Sequence, residues 1–331
     1  MRLLFELSGE HETLPKSEVL ASIEAEGYDW KIIDEADRIL VLDTEADPVL
    51  LGNRIALAHH VGEFLASGTE SDLAHVARNL ENIDGTVAIR TRDLRSKPER
   101  AVNNELMENI GGILTKGRNV NLDNPDNEIR LIQGHKYYMT LNRSSVDRRS
   151  FQMRKVDNRP FFSPISLHPK YARAMVNLAR ASAGNSFLDP FCGTGGILIE
   201  AGLIGAQIIG GDAKVEMIEG CRKNLEKFDI NSTMLTSDIG DLKGKVENVH
   251  SIATDPPYGR SSSTLREDLG SLYERSFSTF AEILEDKGYL AIVLPKEEYV
   301  DTGTRFLELQ ETHKQRVHKS LDRFYCVFRN H

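Results

Sequence analysis

Asp255-Pro256-Pro257-Tyr258-Gly259 sets a carboxylate, two prolines and an aromatic ring within five residues. The apolar run Val249–Thr254 before it reads as a buried strand. Neither proline can donate to a neighbouring strand, so the strand must stop there. The prolines also stiffen the backbone and hold Asp255 and Tyr258 in place. In an open α/β sheet, ligands bind at the carboxyl ends of strands. A rigid acid there can accept a hydrogen bond from an amine while the ring stacks on a π-face. The pair suits a flat, amine-bearing substrate. Without its surroundings the same segment is a proline-rich turn with a helix-capping acid.

Three further groups fall where successive strands should end. Asp189-Pro190-Phe191-Cys192-Gly193-Thr194-Gly195-Gly196 joins a strand to a helix, and its glycines let a ligand approach the backbone and the free N–H groups of the helix start. Leu198 stands where a nicotinamide-binding G-x-G-x-x-G loop needs a small residue, so that class is disfavoured. Asp212 closes Ile208-Ile209-Gly210-Gly211-Asp212, where an acid can bind both hydroxyls of a ribose. Ser237-Asp238 follows the third strand, with Asp241 as a competing acid.

These acids need a scaffold of alternating strands and helices. The expected elements are Ser186–Asp189, Gly196–Ile204, Ala206–Gly210, Lys214–Phe228, Thr233–Leu235, Val249–Asp255, Gly270–Leu284 and Tyr289–Leu294, with a helix at Lys170–Ala181 before them. Such alternation implies a mostly parallel sheet covered on both faces. Two β-patterned runs, near Lys314–His318 and Arg323–Phe328, should close it as a hairpin. Upstream, residues 1–50 read as a small α/β unit with strands at Arg2–Leu7, Tyr28–Ile33 and Arg38–Leu42 and a helix at Leu14–Glu26. Residues 51–142 form another: helical spacing over Val49–Gly62, Ser71–Ile83 and Glu99–Leu114, and strands at Thr86–Arg92 and Glu128–Gln133.

The chain has 331 residues, 40% of them hydrophobic and 27% charged, within the globular range. No apolar run reaches a membrane span, and the acidic start does not fit a signal peptide. Cys192, Cys221 and Cys326 are far apart and odd in number, which fits reduced cytoplasmic thiols and gives no metal-ligand spacing. The net charge of −9 is unevenly spread: residues 1–85 carry 6 Lys and Arg against 18 Asp and Glu, and residues 86–160 carry 15 against 9. A polyanion responds to the local field rather than the net charge. Arg118, Arg143, Arg148, Arg149, Arg154 and Lys155 are therefore candidate phosphate contacts, the last five within a basic linker at 143–160.

The segment Asp189–Gly196 resembles motif I of the Rossmann-fold methyltransferases that use S-adenosylmethionine. The stretch Val120-Asn121-Leu122-Asp123-Asn124-Pro125-Asp126 resembles the end of a THUMP domain, found on RNA-modifying enzymes. Together with Asp255–Gly259 and the helix Tyr171–Ala179, the chain resembles the archaeal-type tRNA guanosine-N2-methyltransferases of position 10. The resemblance implies a ferredoxin-like unit (1–50), a THUMP domain (51–142) and a methyltransferase domain (161–331). It implies S-adenosylmethionine held by Asp189, Cys192, Gly193, Thr194, Gly195, Gly196, Asp212 and Asp238, with S-adenosylhomocysteine as product. Catalysis would fall to Asp255, Pro256 and Tyr258. Partners would be tRNA and, in some relatives, a small zinc-containing activator protein. The alternatives are an adenine-N6 methyltransferase, since the motif serves any exocyclic amine, and a non-catalytic RNA-binding protein.

Overall fold

Five parallel strands position the four acids. A computed structural model describes residues 1–80, 83–95, 104–163, 166–258, 267–318 and 321–331. Gly259, residues 81–82 and residues 99–103 of an expected helix lie outside the described residues. The chain divides into two compact units: residues 1–10, 28–53 and 58–146, and residues 11–27, 54–57 and 147–331.

The first unit is built on one seven-stranded sheet. Its strands are β1 (Arg2–Leu7), β2 (Trp30–Ala36), β3 (Ile39–Thr44), β4 (Ala58–Gly68), β5 (Val87–Asp93), β6 (Asn127–Gln133) and β7 (Tyr137–Ser145), in the order β2-β3-β1-β4-β7-β6-β5. Because β4 pairs antiparallel with both β1 and β7, residues 1–50 and 51–142 share a sheet. The helix expected over Val49–Gly62 is α2 (Pro48–Arg54), which stops at Arg54, and the strand takes over at Ala58. Pairing on both edges outweighed the helical spacing of its apolar residues. Helices α3 (Glu70–Arg78) and α4 (Asn104–Thr115) cover the sheet, burying Leu73, Ala77, Ile110 and Leu114 against Ile129, Leu131 and Met139. Thr69 and Asp72 form a reciprocal capping box at the start of α3.

In the second unit, β8 (Ser186–Asp189), β9 (Gln207–Asp212), β10 (Ser232–Thr236), β11 (Val249–Thr254), β12 (Leu284–Leu294), β13 (Glu308–His318) and β14 (Leu321–Arg329) are ordered β10-β9-β8-β11-β12-β14-β13. The first five are parallel, and β14 and β13 close the sheet antiparallel, as the sequence implied. The order reverses between β8 and β11, a topological switch where ligands bind. Helices α6 (Pro169–Leu178), α7 (Gly196–Gly202), α8 (Val215–Glu226) and α9 (Leu269–Ile283) flank the sheet. Residues 143–160, expected as a linker, hold the end of β7, helix α5 (Arg148–Met153) and a 3-10 turn at Val156–Asn158. Asp147 fixes α5 by accepting from the N–H groups of Arg149 (3.0 Å) and Ser150 (3.2 Å).

Helix α1 (Leu14–Ala25) also belongs to this unit, with Leu14, Ala21 and Leu57 in the same core as Ala174, Met175 and Leu178 of α6. Buried Glu18 accepts from the N–H groups of Ala56 (2.9 Å) and Leu57 (2.7 Å) and from the Asn177 side chain (2.8 Å).

Candidate active site

Each of the four acids sits just at or beyond the carboxyl end of its strand. Asp189 ends β8 and is 2% exposed; it accepts from the Thr254 hydroxyl at 2.7 Å and from the Phe191 N–H at 3.1 Å. Burial pushes its pKa up to about 7, with Asp255 and Asp212 adding in the same direction. Asp212 ends β9 and accepts from the N–H groups of Gly193 (3.2 Å) and Lys214 (2.9 Å). It therefore braces the glycine loop, and burial raises its pKa too.

The loop's backbone explains its composition. Gly193 and Gly195 have φ of 49° and 80°, the left-handed region that a side chain disfavours. A Cβ on Gly195 would stand 2.6 Å from the Cys221 sulfur. Cys192 is buried beside that same thiol, and Thr194 is buried with its hydroxyl 3.0 Å from Ser166 Oγ. Arg159 lies 3.4 Å from the Thr194 hydroxyl, and a Cβ on Gly196 would meet its guanidinium at 3.1 Å.

Asp238 follows β10 and accepts from the Gly240 N–H at 2.9 Å and from Arg275 at 2.6 and 3.2 Å. The Arg275 pair holds it below the ordinary carboxylate value. A carboxylate has about four lone-pair sites, so Asp238 keeps acceptor capacity. A cleft lined by Phe191, Asp212, Lys214, Asp238, Ile239 and Pro257 joins these loops. Its side chains suit an adenosine: Asp212 to accept from a diol, Asp238 to accept from an exocyclic amine, and Phe191 and Ile239 for the ring. Asp241 is exposed and outside the cleft.

Asp255 follows β11 and accepts from the Tyr258 hydroxyl. Burial raises its pKa, and Arg323 and Tyr258 oppose the rise. The Tyr273 hydroxyl donates to the Pro257 carbonyl at 3.2 Å, fixing the two prolines from α9. Asp189 and Asp255 are thus neighbours around Thr254, and Asp212 and Asp238 share the cleft with Pro257.

The methyltransferase part, residues 157–324, matches the family UPF0020, an RMKL-like methyltransferase domain. A tRNA (guanine(10)-N2)-dimethyltransferase of Methanothermobacter thermautotrophicus is 34% identical over 338 residues, covering 99% of each chain. The chain belongs to the tRNA (guanine(10)-N2)-dimethyltransferase family. The Pyrococcus abyssi family member is 38% identical over 307 residues, covering 89% of this chain and 90% of that one. In fold, the chain matches the crystal structure of TrmN from Thermus thermophilus over 100% of both chains, with a TM-score of 0.51 at 22% identity.

This dimethyltransferase family member places the expected phosphate contacts unevenly. Arg148 and Arg149 are exposed on α5, and Lys155 is half-buried. Arg143 forms an exposed pair with Glu63 at 2.7 Å, weak enough to exchange for a phosphate. Two positions differ from the expectation. Arg154 turns inward, donating to Glu200 at 2.7 and 3.1 Å and lying over the Phe151 ring at 4.6 Å. Arg118 donates to the carbonyls of Leu114 (2.6 Å) and Leu80, closing the end of α4. Both guanidinium groups satisfy buried or helix-end acceptors, a local demand that charge counting does not see. Sequence reasoning also passed over Arg323, Tyr325, Gln315 and Tyr273. The one signal for Arg323 was an arginine opening the otherwise apolar strand run Arg323–Phe328.

Proposed function

We propose that this chain methylates the exocyclic N2 amine of guanosine 10 in tRNA, giving N2-methylguanosine and, after a second turnover, N2,N2-dimethylguanosine. The observation that carries this reading is Asp255 held at the strand end by two prolines, beside the Asp212–Asp238 cleft. Its support from relatives is that proteins so named align along nearly the whole chain.

S-adenosylmethionine, when bound, supplies an electrophilic methyl group on a sulfonium. Asp212 would take the ribose hydroxyls, Asp238 the adenine amine, and the loop Asp189–Gly196 the methionine portion. The N2 lone pair is delocalised into guanine, so the amine is a poor nucleophile. Asp255 would accept one amine hydrogen and the Pro256 carbonyl the second, which draws the nitrogen toward a tetrahedral form. As the C–N bond formed and the methyl C–S bond broke to leave neutral S-adenosylhomocysteine, the positive charge would pass from sulfur to N2 beside the Asp255 carboxylate, which would then take the surplus proton. The Tyr258 ring fixes the plane of the base. The rest is alignment for in-line displacement. A base paired in a stem must first leave its stack, and binding energy from remote phosphates supports that step. The first unit, read as ferredoxin-like and THUMP portions, and the cations Arg143, Arg148, Arg149 and Lys155 would grip those phosphates in the cytoplasm.

Nucleoside mass spectrometry after incubation with S-adenosylmethionine and a tRNA bearing G10 should show N2-methylated guanosine, and a G10-to-A tRNA should show none. N6-methyladenosine instead would favour the adenine alternative. Loss of both products together with loss of S-adenosylmethionine binding would favour a non-catalytic RNA-binding protein. Turnover by the chain alone would make the zinc-containing activator dispensable.

A further inference from the structure

The hairpin β13–β14 brings a cation to the catalytic loop. The Arg323 guanidinium lies 6.0 Å from the centre of the Tyr258 ring, and its Nε is buried with no hydrogen-bond partner among the described residues. Its strand neighbours form a rigid platform. The Tyr325 hydroxyl donates to Gln315 at 2.9 Å, Gln315 donates to the Tyr171 hydroxyl at 2.8 Å, and the Tyr171 and Tyr325 rings stack at 5.9 Å. The Tyr258 hydroxyl occupies Asp255 Oδ1, which leaves Oδ2 for a substrate amine.

We propose that Arg323 is a positioning residue for the methylation: its guanidinium holds the Tyr258 ring, whose hydroxyl donates to Asp255, so that the free carboxylate oxygen faces the amine. The inference rests on the reading of Asp255 given above. Protonated Asp255 would present an O–H where the amine presents N–H, and the acceptor would be lost. Among the described residues, five charged or titratable groups act electrostatically on Asp255: Asp189 from β8, Tyr258 in its own loop, Tyr273 from α9, and Arg323 and Tyr325 from β14. Burial and Asp189 favour the protonated form. Arg323 is the cation among these five, and it opposes both.

The experiment compares wild type, Arg323→Met and Arg323→Lys in full-length protein. Initial rates of tRNA methylation are measured from pH 5.5 to 9 with both substrates saturating. An opposite charge at close range lowers a carboxylate pKa by about 1–3 units. Arg323→Met should therefore move the acid limb of the profile up by about 1 pH unit or more, with a loss at pH 6 roughly tenfold greater than at pH 8.5. Arg323→Lys should restore the limb most of the way. Asp189 is present in all three proteins, so a difference among them reports Asp255. S-adenosylmethionine affinity by calorimetry should stay within about twofold. A uniform rate loss across pH, or no loss, would mean that Arg323 only packs the hairpin, and the proposal would fall. Carboxyl-carbon NMR titration of Asp255 gives a second readout that needs no turnover. An upward shift in Arg323→Met supports the proposal, and an unmoved titration overturns it. If wild type makes no N2-methylguanosine while Asp255 still titrates differently in the variant, the assigned reaction fails and the electrostatic link stands.

Discussion

Methylating an exocyclic amine requires an acceptor whose oxygen stays still and stays charged, the role proposed for Asp255. Asp255→Ala should lower kcat about 100- to 10,000-fold with little change in KM, because its work is done as the transition state forms. Asp255→Asn keeps one acceptor oxygen and should retain more turnover than Ala; equal activity of Asp255→Ala and wild type would reduce the motif to a turn. At Tyr258 the structure refines the sequence expectation of pure stacking. Its hydroxyl donates to Asp255, so Tyr258→Phe should lose one hydrogen bond of about 0.5–1.5 kcal/mol, roughly two- to twelvefold in kcat. Tyr258→Ala should be far worse, since it removes the ring as well. Asp212→Ala should weaken S-adenosylmethionine binding about 10- to 150-fold, the worth of a charge-assisted hydrogen-bond set, while tRNA binding holds. These acids were legible because each sits where an apolar run stops. Arg323 was not: its partners come from a loop some 65 residues away in sequence, and one arginine at a strand start carries no local signature.

At the scale of elements, the glycine loop is a strained turn fitted against α8. Gly195→Ala should cost about 1–2 kcal/mol for a left-handed residue and more for the Cβ that would overlap Cys221 at 2.6 Å. Gly184→Ala is its control, with φ of 79° and nothing within 4 Å of its Cβ. Thermal unfolding should show a clearly larger loss for Gly195→Ala, and S-adenosylmethionine affinity should fall in that variant alone. Equal losses would mean that backbone strain, not close packing, selects the glycine. The alternation of β8 to β12 was readable because each parallel strand is a short buried run between helical patterns. The strand β4 was not, because its pairing with β1 and β7 is non-local while its apolar residues also fit a helical period. The exposed arginines of α5 are proposed phosphate contacts. Arg148→Ala with Arg149→Ala should reduce the salt slope of tRNA binding by about 1 to 2, and Arg154→Ala should act instead on stability, since it removes one of the two arginines that, among the described residues, pair with buried Glu200 and leaves Arg173 at 3.0 Å.

For the whole molecule, composition separated the chain into a front and a methyltransferase half, but the fold does not respect that cut. Segments 11–27 and 54–57 belong to the unit that carries the catalytic loops. The pattern of α1 showed a helix and could not show which core it enters, because an apolar stripe does not name its partner. The consequence is testable at Asn177. Its side chain donates to Glu18 at 2.8 Å and to the Arg54 carbonyl at 3.2 Å, and it accepts from Arg54 Nε at 3.1 Å, all in a buried setting. Removing it leaves a buried carboxylate and guanidinium each short of a partner, at a cost of about 1–3 kcal/mol for each group left unsatisfied. Asn177→Ala should therefore lower the unfolding temperature of the full chain without altering the pH dependence of methylation. A fragment of residues 147–331 loses those partners and also bares the face of α6 that packs with Leu14, Ala21 and Leu57. Cutting at the apparent domain boundary should thus give a protein that aggregates or melts well below the full chain, assessed by size-exclusion chromatography and thermal unfolding. A monodisperse fragment that melts with the full chain and binds S-adenosylmethionine with full affinity would show that α1 and residues 54–57 are accessories rather than part of the catalytic unit's core.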